Sequence, residues 1–419
     1  MGRGKDELGI PGIVVGVSID GKTVWSEGLG YADIENRVLC SPDTVMRIAS
    51  ISKSITMAAV AKLWEDGKLD LDKPIQEYVP YFPKKTFEGK PVEITCRQLV
   101  SHIGGIRHYD KNVRLYEEKA DSQNKNEKQP NKKKEEFDHK EYYIKDQFKD
   151  VKSAIDLFKE DPLVAKPGTR FHYSTHAWTL ISAIVESAAK EEFSIHLTKL
   201  LKNLGMANTH LDINHVLVYH RSRNYTKDKN GKILNAPYVD NSFKWAGGGL
   251  LSTVGDLLQF GNAMLYSLQF KPSFLLNKNS SLNIIADKGS KLSNDINQSN
   301  NSALPGYLKS KTVEALWSPV EVNKEAKYGM GWFLQAEKQE CKFCQKSDFC
   351  AFHTGGAVGA SSILLILPKE PKCNELKNGD NCSAPKGIIV AILVNLQSVN
   401  LSKIALKIAQ IFDISNCDN

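Results

Sequence analysis

The chain has 419 residues, 41% of them hydrophobic, and a formal net charge of +7. That length and apolar content suffice for a large core, as one domain with a sizeable lid or as two lobes. The charge is mild and no basic stripe interleaves with aromatics, which argues against nucleic-acid binding, and no apolar run approaches the ~18 residues of a membrane span.

Met1–Gly9 is short and polar, with neither the apolar core of a secretory signal nor an Arg/Ser-rich presequence. Residues 12–19 (GIVVGVSI) and 22–32 then form two strand-like runs, and Asp20-Gly21 between them signals a hairpin. The same stretch matches a phosphate-binding loop, with Gly16, Gly21, Lys22 and Thr23 at the required spacing. A strand follows where such a loop needs a helix N-terminus, so nucleotide binding is rejected.

A helix is expected from about Ser50 to Asp66, ended by Gly67. Its ISKSITMAAVA segment is apolar all round and therefore buried, and Lys53 is the only charge in it before Lys62. Burial disfavours an ammonium and lowers its pKa, which turns the amine into a proton acceptor. Ser50 lies one turn away on the same face, so the pair reads as a nucleophile beside its base.

Leu69 to Pro83 reads as loop, and residues 111–149 as an exposed or disordered insertion too polar to order itself. From 151 to 267 the chain is mostly helical, with helices expected at Thr179–Ala189 and, after Gly247-Gly248-Gly249, at Thr253–Tyr266. Just ahead of the first, Tyr173-Ser174-Thr175 offers a hydroxyl for a proton relay with Lys53. A second polar insertion covers 271–303.

Strands return at Tyr328–Ala336, Ser361–Leu367 and Gly387–Asn395, and a closing helix covers Leu401–Phe412. Within this part His353-Thr354-Gly355-Gly356 places glycines on an edge strand that a substrate backbone can approach and pair with. Five of the eight cysteines lie between 341 and 382, and Cys341-x-x-Cys344 admits a metal or redox site, although no second pair completes it. The expected architecture is α/β. An antiparallel sheet is assembled from N- and C-terminal strands (about 1–66 and 320–419), flanked by helices, with residues 67–319 as a mostly helical lid in one catalytic domain.

The order Ser50-x-x-Lys53, Tyr173-Ser174-Thr175, His353-Thr354-Gly355 resembles the serine β-lactamase and penicillin-binding-protein superfamily, class C enzymes above all. The blocks MRIASISKS, RQLVSHIGGI, KPGTRFHYST, WAGGGLLSTVGDLLQFG and FHTGGAVGASS carry the likeness across nearly the whole chain. WSEGLGYADIENR and the run from Asp240 to Tyr266 narrow it to the mitochondrial serine β-lactamase-like proteins of animals. The resemblance implies a β-lactamase/transpeptidase-like fold, Ser50 as acyl-ester nucleophile, Lys53 as base and Tyr173 as relay. It also implies substrate binding by His353, Thr354, Gly355 and Thr175, and an oxyanion hole completed by the Gly356 amide.

Two positions depart from the drug-hydrolysing pattern. His353 stands where lactamases carry lysine, and Thr175 replaces an asparagine that holds the substrate's peptide-like group. Both fit a peptidase without a metal or organic cofactor. The resemblance further implies a peptide or protein substrate, self-assembly into filaments, an influence on lipid metabolism and residence in the mitochondrial intermembrane space. An esterase of small acyl substrates, or a filament scaffold with a vestigial site, are the competing expectations.

Overall fold

The computed structural model describes residues 9–109, 140–270, 306–320, 322, 327–337, 348–369 and 385–414. Strands β1 (Gly12–Ile19), β2 (Lys22–Asp33) and β3 (Val38–Leu39) come from the first part of the chain. Strands β4 (Phe333–Gln335), β5 (Cys350–Ala357), β6 (Ala360–Pro368) and β7 (Gly387–Val394) come from the last. They form one seven-stranded sheet in the order β4-β5-β6-β7-β1-β2-β3. Every neighbouring pair is antiparallel, and β1 meets β7 with Val15 opposite Ile392. Among the described residues, positions 67–319 add no strand to this sheet.

The β1–β2 turn has φ of 49° at Asp20 and 82° at Gly21, the left-handed pair that matches the twist of a two-residue hairpin. The strand expected over 328–336 is shorter. Lys327 and Gly331 have φ of 50° and 75°, so the chain folds back on itself, Tyr328 bridges Phe333, and extended pairing with β5 starts only there.

Side chains alternate across the sheet. Val15, Val17, Ile363, Leu365, Val390 and Ile392 pack against Leu401, Ala405 and Ile408 around helix α5 (Ser402–Ile414). Val14, Leu364, Ile366, Ile389, Ala391 and Leu393 face the other way, into a core shared with α1 (Ile51–Glu65), α2 (Thr175–Ala189) and α4 (Val254–Gln269). The short helix α3 (Trp245–Gly248) sits against both α1 and α2. Helix α1 is buried from Ile51 through Ala61, as its unbroken apolar run requires. Its polar side chains are satisfied inside the protein: Ser54 donates to the Gly331 carbonyl at 2.8 Å and Thr56 to that of Ala246 at 3.0 Å. No described helix is long and apolar enough to cross a membrane.

Residues 140–149 do not behave as the exposed tail of an insertion. Tyr142, Ile144 and Phe148 pack on Tyr109, Ala154 and Phe243, and Glu141 takes both guanidinium nitrogens of the buried Arg107 at 2.7 and 2.9 Å. The aromatic residues of EYYIKDQF supply the apolar area that the preceding run lacks. Residues 111–139 and 271–303 lie outside the described residues, as do Cys341, Cys344, Cys373 and Cys382. Cys40, Cys96 and Cys350 are buried, and the described residues hold no cluster of metal-ligating side chains.

Candidate active site

The turn into α1 fixes Ser50. The strand Met46–Arg47 pairs with Leu251–Ser252, and two residues later Ala49 adopts φ of 48°, a left-handed conformation that costs a non-glycine residue energy. Neighbours hold it there. The Ala49 carbonyl accepts from the Ser52 amide at 3.0 Å and from its hydroxyl at 2.6 Å, and the Ser362 hydroxyl donates to the Ile48 carbonyl at 2.7 Å. Ser50 occupies the N-cap position but makes no capping bond. Its hydroxyl is left for other chemistry.

Lys53 is fully buried on the next turn. Its Nζ lies 3.1 Å from Ser50 Oγ and 3.4 Å from Thr175 Oγ1, and donates to the Gly247 carbonyl at 2.5 Å. Gly247 must be glycine for this approach, because a Cβ there would stand 2.8 Å from the Thr175 methyl and 3.0 Å from Trp178. No carboxylate partners Lys53 among the described residues. Burial, reinforced by the charge of Lys244, pushes its pKa well below the ordinary lysine value.

The Tyr173 hydroxyl also reaches Ser50, donating to Oγ at 2.9 Å. Ser174 caps α2 through the Ala177 amide and donates to the Arg107 carbonyl at 2.6 Å, which fixes where Tyr173 leaves the helix. The ring rests against His102, 4.3 Å between centroids, with the Lys53 ammonium 4.8 Å from its own centre. Burial drives the Tyr173 pKa upward, against the smaller opposing effect of the Ser50 bond. It is a neutral phenol at any physiological pH, equipped to pass a proton rather than to abstract one.

Strand β5 forms the far wall. It is second in the sheet rather than its edge, but β4 pairs only with Cys350–Phe352, so among the described residues 353–357 keep an open outer side. Thr354 and Gly356 line the cavity while His353 and Gly355 face away. The His353 ring is fully buried. Its Nδ1–H donates to the Thr354 carbonyl at 2.7 Å, so Nε2 accepts from the Tyr328 hydroxyl at 3.1 Å. Burial, with the nearby Lys53 charge, holds its pKa at about 3. The imidazole is therefore neutral, and this residue offers the cleft its backbone only. Gly355 is pressed on the Ile48 carbonyl and the Ser362 hydroxyl, where a Cβ would come within 2.4 and 2.1 Å; a Cβ on Gly356 would meet nothing within 4 Å.

These elements enclose a cavity of about 340 Å³ lined by Ser50, Tyr173, Thr175, Thr354 and Gly356. His108, Tyr109, Tyr142, Lys244 and Phe333 line it too and were not anticipated from sequence. Lys244 had a local signal, a lysine between Phe243 and Trp245 just ahead of the glycine run; the others had none that separates them from core aromatics.

A family model described as Beta-lactamase matches residues 2–411. The human serine beta-lactamase-like protein LACTB, mitochondrial, is 47% identical over 457 residues, which cover 99% of this chain and 79% of the human one. Among solved structures, the octameric penicillin-binding protein homologue from Pyrococcus abyssi superposes with a TM-score of 0.65 at 22% identity, covering 98% of this chain and 75% of the other. A class C β-lactamase from Rhodobacter sphaeroides gives 0.61 at 17% identity, covering 99% and 97%. Coverage of this extent, at that identity to the human protein, places the chain in the β-lactamase family, among the mitochondrial serine β-lactamase-like proteins.

Proposed function

We propose that the chain is a serine hydrolase that cleaves peptide bonds through an acyl-enzyme on Ser50, within one catalytic domain whose helical 67–319 segment forms the lid. One observation carries this reading: Ser50 Oγ lies between Lys53 Nζ at 3.1 Å and the Tyr173 hydroxyl at 2.9 Å, at the wall of a cavity. Neutral Lys53 takes the Ser50 proton as Oγ attacks the substrate carbonyl carbon. The amides of Ser50 and Gly356 receive the developing oxyanion, and Thr354 and Thr175 position the substrate. Tyr173, relayed from the Lys53 ammonium, protonates the leaving nitrogen as the C–N bond breaks. Water then enters, loses its proton to Lys53, and releases the acyl group while Ser50 recovers its hydrogen.

Membership in this family further supports mitochondrial residence in the intermembrane space, self-assembly of the chain into filaments and an influence on lipid metabolism. The octameric state named for the Pyrococcus abyssi homologue is consistent with self-association.

The test is intact-protein mass spectrometry with a fluorophosphonate probe. One adduct, mapped to Ser50 and absent from Ser50→Ala, is the expected result, together with loss of peptide hydrolysis. A probe that leaves Ser50 unmodified, or peptide hydrolysis that survives Ser50→Ala, overturns the mechanism. Filaments that persist in Ser50→Ala without any labelling of the native protein would favour the scaffold reading.

A further inference from the structure

Lys244 closes the turn Ser242–Lys244 just before α3, and only 3% of it is exposed. Its Nζ is surrounded by aromatic faces, 5.1 Å from the ring centres of Tyr142 and Phe243 and 5.5 Å from that of Tyr109. Such faces stabilise a cation through their quadrupoles but take none of its three hydrogen-bond donors. Among the described residues the ammonium makes no ion pair and no side-chain hydrogen bond.

The two carboxylates near it are committed elsewhere. Asp212 accepts from Arg47 at 2.7 Å, Arg221 at 2.5 Å and Asn241 at 2.6 Å. Asp240 accepts from the Ser242 amide at 2.8 Å and from its hydroxyl. Burial pushes the Lys244 pKa down to about 7, with Arg47 adding to the shift and both aspartates opposing it. An ammonium held this way, at the wall of the cavity that contains Ser50, is short of an anion. His353, the other candidate cation of the site, is neutral and turned away.

We propose that Lys244 is the anion receptor of this cavity and that the substrate carries a carboxylate, which Lys244 holds while the scissile carbonyl meets Ser50. A single lysine with no arginine fork beside it in the cavity suits a monoanionic carboxylate better than a phosphate, for which paired donors are the rule. Lys244 is thus a specificity residue. The inference rests on the acyl-enzyme reading for the identity of the bound molecule as substrate, but its binding arm is measured without turnover.

The experiment uses isothermal titration of the Ser50→Ala protein with two acetylated peptide amides identical except for a terminal glutamate or glutamine residue. These differ by one charge at nearly equal size. The glutamate peptide is expected to bind about tenfold tighter, the scale of one charged hydrogen bond made in a buried site. Lys244→Met erases the difference by weakening the glutamate peptide, and Lys244→Arg preserves a preference for it. Equal binding of the two peptides by Ser50→Ala overturns the proposal without any Lys244 variant, as does a preference that persists in Lys244→Met. Fluorophosphonate labelling of the native protein separately tests the acyl-enzyme reading, so the two failures are told apart.

Discussion

The Lys53 ammonium nitrogen donates to the Gly247 carbonyl at 2.5 Å, tying the helix that begins after Ser50 to a glycine run 194 residues later. The carbonyl aims the amine at Ser50 without supplying the negative charge that would keep it protonated.

The first prediction concerns pH. Lys53 accepts a proton only when neutral, so kcat/KM rises with pH through its folded-state pKa and levels off well below the ordinary lysine value of 10.5. Lys53→Arg keeps a permanent charge and should lose about 10²–10⁴ in rate. A rate that keeps climbing to pH 10 in the native protein contradicts the assignment.

The same group bears on stability. Between its lowered folded-state pKa and the unfolded value of 10.5, the unfolded chain binds the proton that the folded chain does not. Stability therefore increases with pH across that window and is diminished below it. Lys53→Met, similar in volume, should melt higher than the native protein at pH 7, with the gap closing towards pH 10. Thermal melts at four pH values read this directly; a variant that melts lower at pH 7 contradicts it.

Tyr173→Phe removes the hydroxyl 2.9 Å from Ser50 and keeps the ring against His102. The fold should survive. Hydrolysis of peptide amides, whose leaving nitrogen needs a proton, should fall by about 10²–10⁴, and activated esters should lose much less. Equal losses on both substrates would mean that Tyr173 serves a step other than leaving-group protonation.

Adjacent glycines on β5 should respond differently. Gly355→Ala drives a methyl to within 2.4 Å of the Ile48 carbonyl, displacing the turn that carries Ser50, so expression or thermal stability should drop. Gly356→Ala meets nothing within 4 Å and should melt like the native protein, while its methyl obstructs the cleft and raises KM. Circular dichroism melts with parallel kinetics separate the two effects.

Asp212 is the buried hub that neutralises Arg47 and Arg221, with Arg47 also donating to the Val358 carbonyl at 2.8 Å. Asp212→Ala strands a buried guanidinium next to the strand that leads into Ser50. A loss of about 3–5 kcal/mol in denaturant unfolding is expected. A loss under 1 kcal/mol would show that water reaches Arg47 freely.

Much of the site was legible because its signals are local. An uninterrupted apolar helix with one lysine announces burial, and the structure buries Lys53 completely. Tyr173 was legible as a hydroxyl just ahead of a periodic run, but that helix starts four residues earlier than expected, at Thr175, with Ser174 as its N-cap. The hairpin at Asp20-Gly21 and strands β6 and β7 were readable from β-branched runs between turn residues. What depended on partners distant in sequence was not. Strand parity decides that Thr354 and Gly356 face the cavity while His353 turns inward, and parity follows from registry with β6. The aromatic enclosure of Lys244 draws on Tyr109, Tyr142 and Phe243, from three separate segments. Residues 140–149 were read with the polar stretch before them because an averaged composition hides Tyr142 and Phe148.

The pairing of β1 with β7 also sets a timetable for biogenesis. The first hairpin leaves the ribosome with one long apolar edge vacant, and its neighbour in the sheet emerges only after some hundreds of further residues, tens of seconds later at ordinary elongation rates. Through that interval the nascent chain exposes a template for wrong partners, and a chaperone that shields β1 until β7 is made would raise the yield of native protein.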